Sequence, residues 1–378
     1  LSGMSNEWEL LAGRLEDCLM GVSGGVDGLE PWKEKAFQGL AQEVFGWQFE
    51  LCAPYRSFCK QRGVTPSSVS DWREIPAVPT TAFKYVNLVS TPYTSISRKP
   101  DAAFYTSGTT LGSEHRGCHF VPRVSLYRAA FHQPFRRALL PDVEEIRIIS
   151  LIPSPISAPH SSLSWMVGMA ADAFAYEVDW LVQPNGEWTR GPFDVLRAAS
   201  EEEEPVLVLG TALAFLHLKE AADEPSVSLP TGSRAMVTGG FKGVSRAIGR
   251  SELYSTITDY TGIARDRIVN EYGMTELLSQ MYEPVLTEGT RAAGRLEAPP
   301  WLGVRVLDPT TLEDQPEGEQ GIISFFDLAN LGSVSHVLTE DLGVLEEGRL
   351  AVSGRVPGSE PRGCSRAMDD LMSGGGRL

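Results

Sequence analysis

The sequence predicts an α/β protein built on a largely parallel sheet, with helices on its faces and a smaller β-rich lobe toward the C-terminus. Three observations carry this. From about residue 140, branched apolar runs (EIRIISLIPS, PVLVLGT, SRAMVTGG, DRIVNEYG) alternate with stretches of helical spacing (FDVLRAASEEEE, TALAFLHLKEAAD, VSRAIGRSELYSTITDYTG), the pattern of parallel βαβ units. These apolar runs end in small or polar residues, and ligands gather at the carboxyl ends of such strands. After residue 300 come WLGVRVLDP, GIISFFDLAN, SVSHVLTEDLG and GRLAVSGRV, short strands parted by Gly, Asp and Pro turns.

The first hundred residues read as helices and then loops. EWELLAGRLEDCLM places Trp8, Leu11, Leu15, Cys18 and Leu19 on one helical stripe, which predicts that Cys18 is a core residue. PWKEKAFQGLAQEVFGWQFELCAPYRSFC continues as helices broken near Pro54, with Cys52 and Cys59 packed inside. REIPAVPTTAFKY reads as an extended, proline-punctuated connection, and the four glutamates at 201–204 as a solvated helix end. The expected organisation is a helical and looped part (1–100), an α/β core (101–299), a β-rich lobe (300–353) and a short arm (354–378).

Composition narrows the function classes. Of 378 residues, 42% are hydrophobic and 22% charged, the balance of a soluble globular chain with material for a large core. A net charge of −16 argues against a general nucleic-acid binder and against adhesion to anionic membranes. No apolar run approaches a membrane span and no signal-peptide pattern opens the chain, so a cytoplasmic protein is expected. The five cysteines (Cys18, Cys52, Cys59, Cys118, Cys364) are irregularly spaced, which suits reduced thiols rather than a disulfide framework.

Four segments could carry chemistry. In FYTSGTTLGS, Thr106, Ser107, Thr109 and Thr110 supply hydroxyls around Gly108 and Gly112, a concave anion site suited to phosphates. It is not a Walker A loop, and by itself it also suits an ordinary Ser/Thr/Gly turn. In NEYGMTELL, Tyr272 could stack on a purine beside the free turn at Gly273. Thr275 could touch a phosphate, and Glu276 could hold Mg²⁺ as a hard oxygen donor. A polar helix start with Glu near the positive dipole end explains that stretch as well. TGGFKG offers Gly239 and Gly240 for a flat base and Lys242 as a cation. LTEDLG offers Asp341, which could accept from two ribose hydroxyls.

The order of these segments, followed by the pair Gly354–Arg355, resembles the motif series of adenylate-forming enzymes from about residue 100 onward. LIPSP, SSLSWM, LGTALAF, TGGFKG and the late RGCSRAMDDLM narrow the resemblance to the acyl-protein synthetases of the bacterial bioluminescence fatty-acid reductase complex. The resemblance implies the large-domain fold of adenylate-forming enzymes. It implies ATP and Mg²⁺, a fatty acid substrate and an acyl-CoA-reductase-like partner. It also implies a catalytic cysteine near the C-terminus, which maps onto Cys364. The chain ends soon after Gly354–Arg355, so the usual mobile C-terminal domain, with its adenylation lysine, is expected to be absent. Lys242, Lys84 and Arg355 are candidates for the missing cation. Two other readings stay open: a ligase that uses CoA as acceptor, and a lapsed nucleotide-binding scaffold subunit.

Single residues have rival readings. Cys364 lies between Arg362 and Arg366, which favour the thiolate, the attacking species, although a free surface thiol of no consequence fits the local residues too. EHRGCHF (Glu114, His115, Cys118, His119) invites zinc, but no partner Cys/His pair lies elsewhere. A His on that strand could instead face the adenylate. No GxSxG elbow is present for serine chemistry. His160 and His336 read as structural or substrate-wall residues. SSLSWMVGMAADAFAY suits an acyl-pocket wall or plain core equally.

Overall fold

A computed structural model describes residues 2–21, 32–93, 99–106, 116–221, 227–239 and 249–355. In chain order its helices are α1 (Ser2–Leu19), α2 (Glu34–Leu51), α3 (Ala53–Gln61), α4 (Val124–Leu139), α5 (Ser162–Phe174), α6 (Pro192–Glu201), α7 (Ala212–Glu220), α8 (Arg250–Thr261) and the single turn α9 (Val285–Glu288). The strands begin with β1 (Val78–Pro79), β2 (Ala102–Tyr105), β3 (Cys118–Val121), β4 (Arg147–Ser150), β5 (Val178–Trp180) and β6 (Val206–Thr211). They continue with β7 (Arg234–Thr238), β8 (Ile268–Tyr272), β9 (Met281–Tyr282), β10 (Leu302–Leu307), β11 (Gln320–Asp327), β12 (His336–Glu346) and β13 (Arg349–Arg355). No helix among the described residues is long and apolar enough to cross a membrane.

The chain forms two compact units. One comprises Pro134–Gly273 and Met281–Glu297, and the other the described parts of Leu1–Gln133, Met274–Gln280 and Ala298–Leu378.

The first of these holds a six-stranded sheet in the order β5-β4-β6-β7-β8-β9, parallel through β8 and closed by antiparallel β9. β4 and β7 are buried along their whole length, the continuous apolar run of a parallel strand covered on both faces. Leu196, Phe215, Leu253 and Ile257 from α6, α7 and α8 pack with Ile149, Val208 and Val237 of the strands. Buried arginines stand at the amino ends of the strands. Arg147 pairs with Asp179 at 2.9 Å and with Glu202 at 2.6 Å, and Arg234 pairs with Asp142. A charge of this kind is tolerable out of water only when paired.

The other unit contains α1, α2, α3, the β2–β3 hairpin, and a sheet in the order β1-β12-β11-β10 with β13 paired to β12. Trp8, Leu11, Leu15 and Leu19 are buried along α1 while Cys18 is only half-buried, a correction to its expected core position. Cys18 sits at the edge of the stripe, where the turn carries it toward solvent. Cys52 and Cys59 are fully packed. The connection around Pro76–Pro79 is not simply extended. Trp72–Glu74 and Thr80–Lys84 form 3₁₀ turns flanking β1, the first capped by Asp71, whose side chain accepts from Arg73 N.

Residues 328–335 are buried throughout although they form only one 3₁₀ turn, so their polar groups need side-chain or distant backbone partners. Gln48 of α2 meets Asn330 O at 3.0 Å and Ser335 Oγ at 2.9 Å, and Ser90 N donates to Gly332 O. The β12–β13 hairpin turns at Glu347 and Gly348, both at positive φ (50° and 72°), the backbone of a two-residue primed turn.

Candidate active site

Residues 275–279 follow β8 without starting a helix, which removes the reading of NEYGMTELL as a helix N-terminus. Buried side chains hold the segment instead. His119 Nδ1 lies 2.7 Å from Thr275 O, and Asn330 Nδ2 donates to Glu276 O at 2.9 Å and to Val334 O at 3.0 Å. The Asp327 carboxylate accepts from Leu278 N, Ser279 N and Ser279 Oγ at 2.9, 2.9 and 2.7 Å. With Asn330 Nδ2 committed to two carbonyls, its Oδ1 is the atom that meets His119 Nε2 at 2.9 Å. Both ring nitrogens of His119 therefore face acceptors. Burial pulls its pKa below the ordinary value, while the two hydrogen bonds pull it up.

Glu276 is 8% exposed, and burial pushes its carboxyl up to about 7 against the lowering pull of Arg355 and Lys84; Asp341 adds a small rise. Asp341 lies inside β12 rather than in a surface turn, opposite Arg355, whose Nε donates to Asp341 Oδ1 at 2.8 Å. Asp341, Arg355 and Lys84 thus all lie within electrostatic reach of Glu276. Lys84 is exposed at the end of its 3₁₀ turn.

Thr106 stands where β2 gives way to the 107–115 stretch. Its N donates to Gly117 O and its Oγ1 accepts from Gly117 N, both at 2.9 Å, and Arg116 Nε donates to its carbonyl at 2.6 Å. Thr106 therefore closes the stem of that stretch with its own hydroxyl. Ser107, Gly108, Thr109 and Thr110 lie outside the described residues.

In the other unit, Gly239 follows β7 at φ +80°, a left-handed conformation that suits glycine and strains other residues. Tyr272 ends β8, partly buried, and Gly273 after it is exposed. Next to them is a residue the motifs did not single out. Glu271 is buried opposite Thr238 in the β7–β8 register and accepts a hydrogen bond from Thr238 Oγ1. Burial pushes its carboxyl up to about 7, and the Thr238 hydroxyl pulls it down. Gly240, Lys242 and Cys364 lie outside the described residues.

No group of three or more His, Cys, Asp or Glu among the described residues could cage a metal by itself. His119, one of the residues that invited a zinc reading, has both nitrogens engaged in the protein. One buried carboxylate, Glu276, fits Mg²⁺, which keeps most of its shell as phosphate and water oxygens and takes one or two carboxylates.

The sequence singles out His119 without its partners, and it carries too little signal to find Asn330 or Asp327 as parts of this arrangement. Asn330 and Asp327 sit in GIISFFDLAN, which reads as a plain buried strand and its turn.

The fold matches solved structures of adenylate-forming ligases. The crystal structure of 2-hydroxyisobutyryl-CoA ligase in the postadenylation state in complex with 2-HIB-AMP aligns at TM-score 0.62 and 16% identity, over 85% of this chain and 68% of that one. An open conformation of the same ligase, in complex with 2-HIB-AMP and CoA, aligns at 0.60 and 15%, over 86% and 70%. The protein thus has the α/β fold of this ligase class. Residues 6–373 match the family model described as acyl-protein synthetase, LuxE, and the chain belongs to that family. It is 20% identical over 348 residues to the long-chain-fatty-acid–luciferin-component ligase of Aliivibrio fischeri, covering 88% of each chain. To the protein of the same description from Vibrio harveyi it is 22% identical over 348 residues, covering 88% of this chain and 87% of that protein.

Proposed function

We propose that this ligase activates a long-chain fatty acid with ATP as its acyl-adenylate and then takes the acyl group onto Cys364. The observation that carries the reading is the family match over residues 6–373, which spans Glu276, Asp341 and Arg355 as well as the RGCS stretch around Cys364. The descriptions of the two luciferin-component ligases supply the acid.

In the first step a carboxylate oxygen of the acid bonds to the α-phosphorus of ATP, and the bond to pyrophosphate breaks. The chain's task is to position the reactants and stabilise developing charge, so no dedicated base is needed. Thr106, Ser107, Gly108, Thr109 and Thr110 cradle phosphates, with Thr275 touching one. Tyr272, Gly239, Gly240 and Gly273 hold the adenine, and Asp341, braced by Arg355, takes the ribose hydroxyls. Lys242, with Lys84 and Arg355, supplies positive charge. Glu276 would hold Mg²⁺, which when bound would neutralise phosphate charge.

In the second step the Cys364 thiolate attacks the acyl carbonyl. A carbon–sulfur bond forms, the bond to the phosphate oxygen breaks, and AMP leaves. Arg362 and Arg366 favour the thiolate. The acyl group then passes to an acyl-CoA-reductase-like protein.

The test is fatty-acid-dependent ATP–pyrophosphate exchange together with labelling by radioactive fatty acid. The expected result is exchange, plus a hydroxylamine-labile label on the protein that is lost in Cys364→Ala. Absence of exchange overturns the activation step. Label found only on added CoA overturns Cys364 as acceptor.

A further inference from the structure

The carbonyls of two successive residues, Thr275 and Glu276, are each caught by a buried side chain from a distant part of the chain. His119 on β3 takes the first and Asn330, after β11, takes the second. His119 and Asn330 are each 1% exposed, and His119 Nε2 lies 2.9 Å from Asn330 Oδ1. In a helix those carbonyls would be satisfied by amides four residues on. Here the Ser279 amide, which would serve Thr275, is committed with the Leu278 amide to Asp327, so the chain leaves β8 in an irregular, tethered path.

The tether matters because, among the described residues, the groups that act on the Glu276 carboxylate are its own backbone N–H and the charges of Arg355, Lys84 and Asp341. The position of the carboxylate therefore follows the position of its backbone. We infer that His119 and Asn330 are positioning residues, holding the Thr275–Glu276 peptide so that the Glu276 carboxylate meets the metal–nucleotide at a fixed point. The inference rests on the function proposed above and extends it to two residues that touch neither nucleotide nor metal. Outer partners of this kind commonly change metal affinity or activity by about 10–100-fold when removed.

His119→Phe keeps an aromatic ring and removes both nitrogens. Asn330→Ala removes the link to Glu276. His119→Asn keeps a donor near the place of Nδ1 and loses the bond to Asn330. Thermal melts confirm folding, exchange assays give the Mg²⁺ concentration at half-maximal rate, and calorimetry gives ATP affinity with Mg²⁺ and in EDTA. In His119→Phe and Asn330→Ala the Mg²⁺ requirement rises about tenfold or more and Mg·ATP binding weakens in step. ATP binding in EDTA weakens less than Mg·ATP binding, the KM for fatty acid stays unchanged, and His119→Asn recovers part of the loss. Folded variants with the wild-type Mg²⁺ requirement, or a His119→Asn no better than His119→Phe, overturn the inference. Should His119→Phe and Asn330→Ala fail to fold, His119→Asn alone decides: a raised Mg²⁺ requirement supports the inference and a wild-type one overturns it. A wild-type protein that binds Mg·ATP but shows no exchange overturns the functional reading alone, and the binding ratios still decide this one.

Discussion

Asp341 and Arg355 are paired across the β12–β13 hairpin by a shift in register. The ladder runs Gly343 to Val352 and then, past an irregularity, Leu342 to Gly354 and Asp341 to Arg355. Had the earlier register continued, Gly354 would stand opposite Asp341. The bulge is what sets a guanidinium against the carboxylate, a device found beside many sites. Arg355→Ala therefore releases Asp341. The expected outcome is a rise in KM for ATP of about tenfold, roughly 1.4 kcal/mol. Stability changes by less than about 1 kcal/mol because the arginine is half exposed. Steady-state kinetics with melts check this, and an unchanged KM would remove Arg355 from the nucleotide's surroundings.

Glu276 makes a prediction about pH. Its folded pKa is raised from 4.5 to about 7 by burial. Its contribution to stability is therefore fully present below pH 4.5 and is lost as the pH rises through 7. At pH 8 the buried charge costs about 3 kcal/mol, at 1.36 kcal/mol per pKa unit. Glu276→Gln removes that cost, so the variant melts higher than wild type at pH 8 and no higher at pH 4, while exchange activity collapses. Melts at the two pH values decide it; a variant less stable at pH 8 contradicts the account.

Thr238 and Glu271 give a second, opposite-sounding test. Thr238→Val removes the hydroxyl that, against burial, holds the Glu271 carboxyl down to about 7. The folded pKa then moves further up, and the ionised carboxylate loses its donor. Destabilisation of about 1–3 kcal/mol is expected at pH 8, shrinking at pH 5, where Glu271 is protonated. Urea unfolding at both pH values measures the difference, and equal losses would count against the pairing.

Asp327 should be the most costly of these positions. It is fully buried and accepts from Leu278 N, Ser279 N, Ser279 Oγ and Ala329 N. Asp327→Ala orphans four buried donors at once, and a loss of about 3 kcal/mol or more in urea unfolding is expected. A loss below about 1 kcal/mol would mean these bonds contribute little to holding residues 278–279.

Much of the fold was legible in the chain. EIRIIS, PVLVLGT, SRAMVT and DRIVNEY became β4, β6, β7 and β8 because parallel strands buried on both faces need unbroken apolar runs. Family membership was legible as well: the resemblance read from several ordered weak motifs agrees with the family match over residues 6–373. Cys18 misled because a half-buried edge position and a core position share the same helical spacing. TTAFK misled because a proline-rich stretch signals a break in regular structure without saying which turn fills it.

Local residues by themselves determined the strands and helices, the order of the motifs and therefore the family. Those properties depend on neighbours in sequence: apolar period, turn chemistry and spacing. Only the tertiary structure decided that Asp341 faces Arg355, that His119 and Asn330 meet the Thr275 and Glu276 carbonyls, and that Glu271 meets Thr238 in the buried interior. Each of these joins residues far apart in the chain. They follow from hydrogen-bond satisfaction of buried groups, a requirement that exists only once the backbone has closed around them.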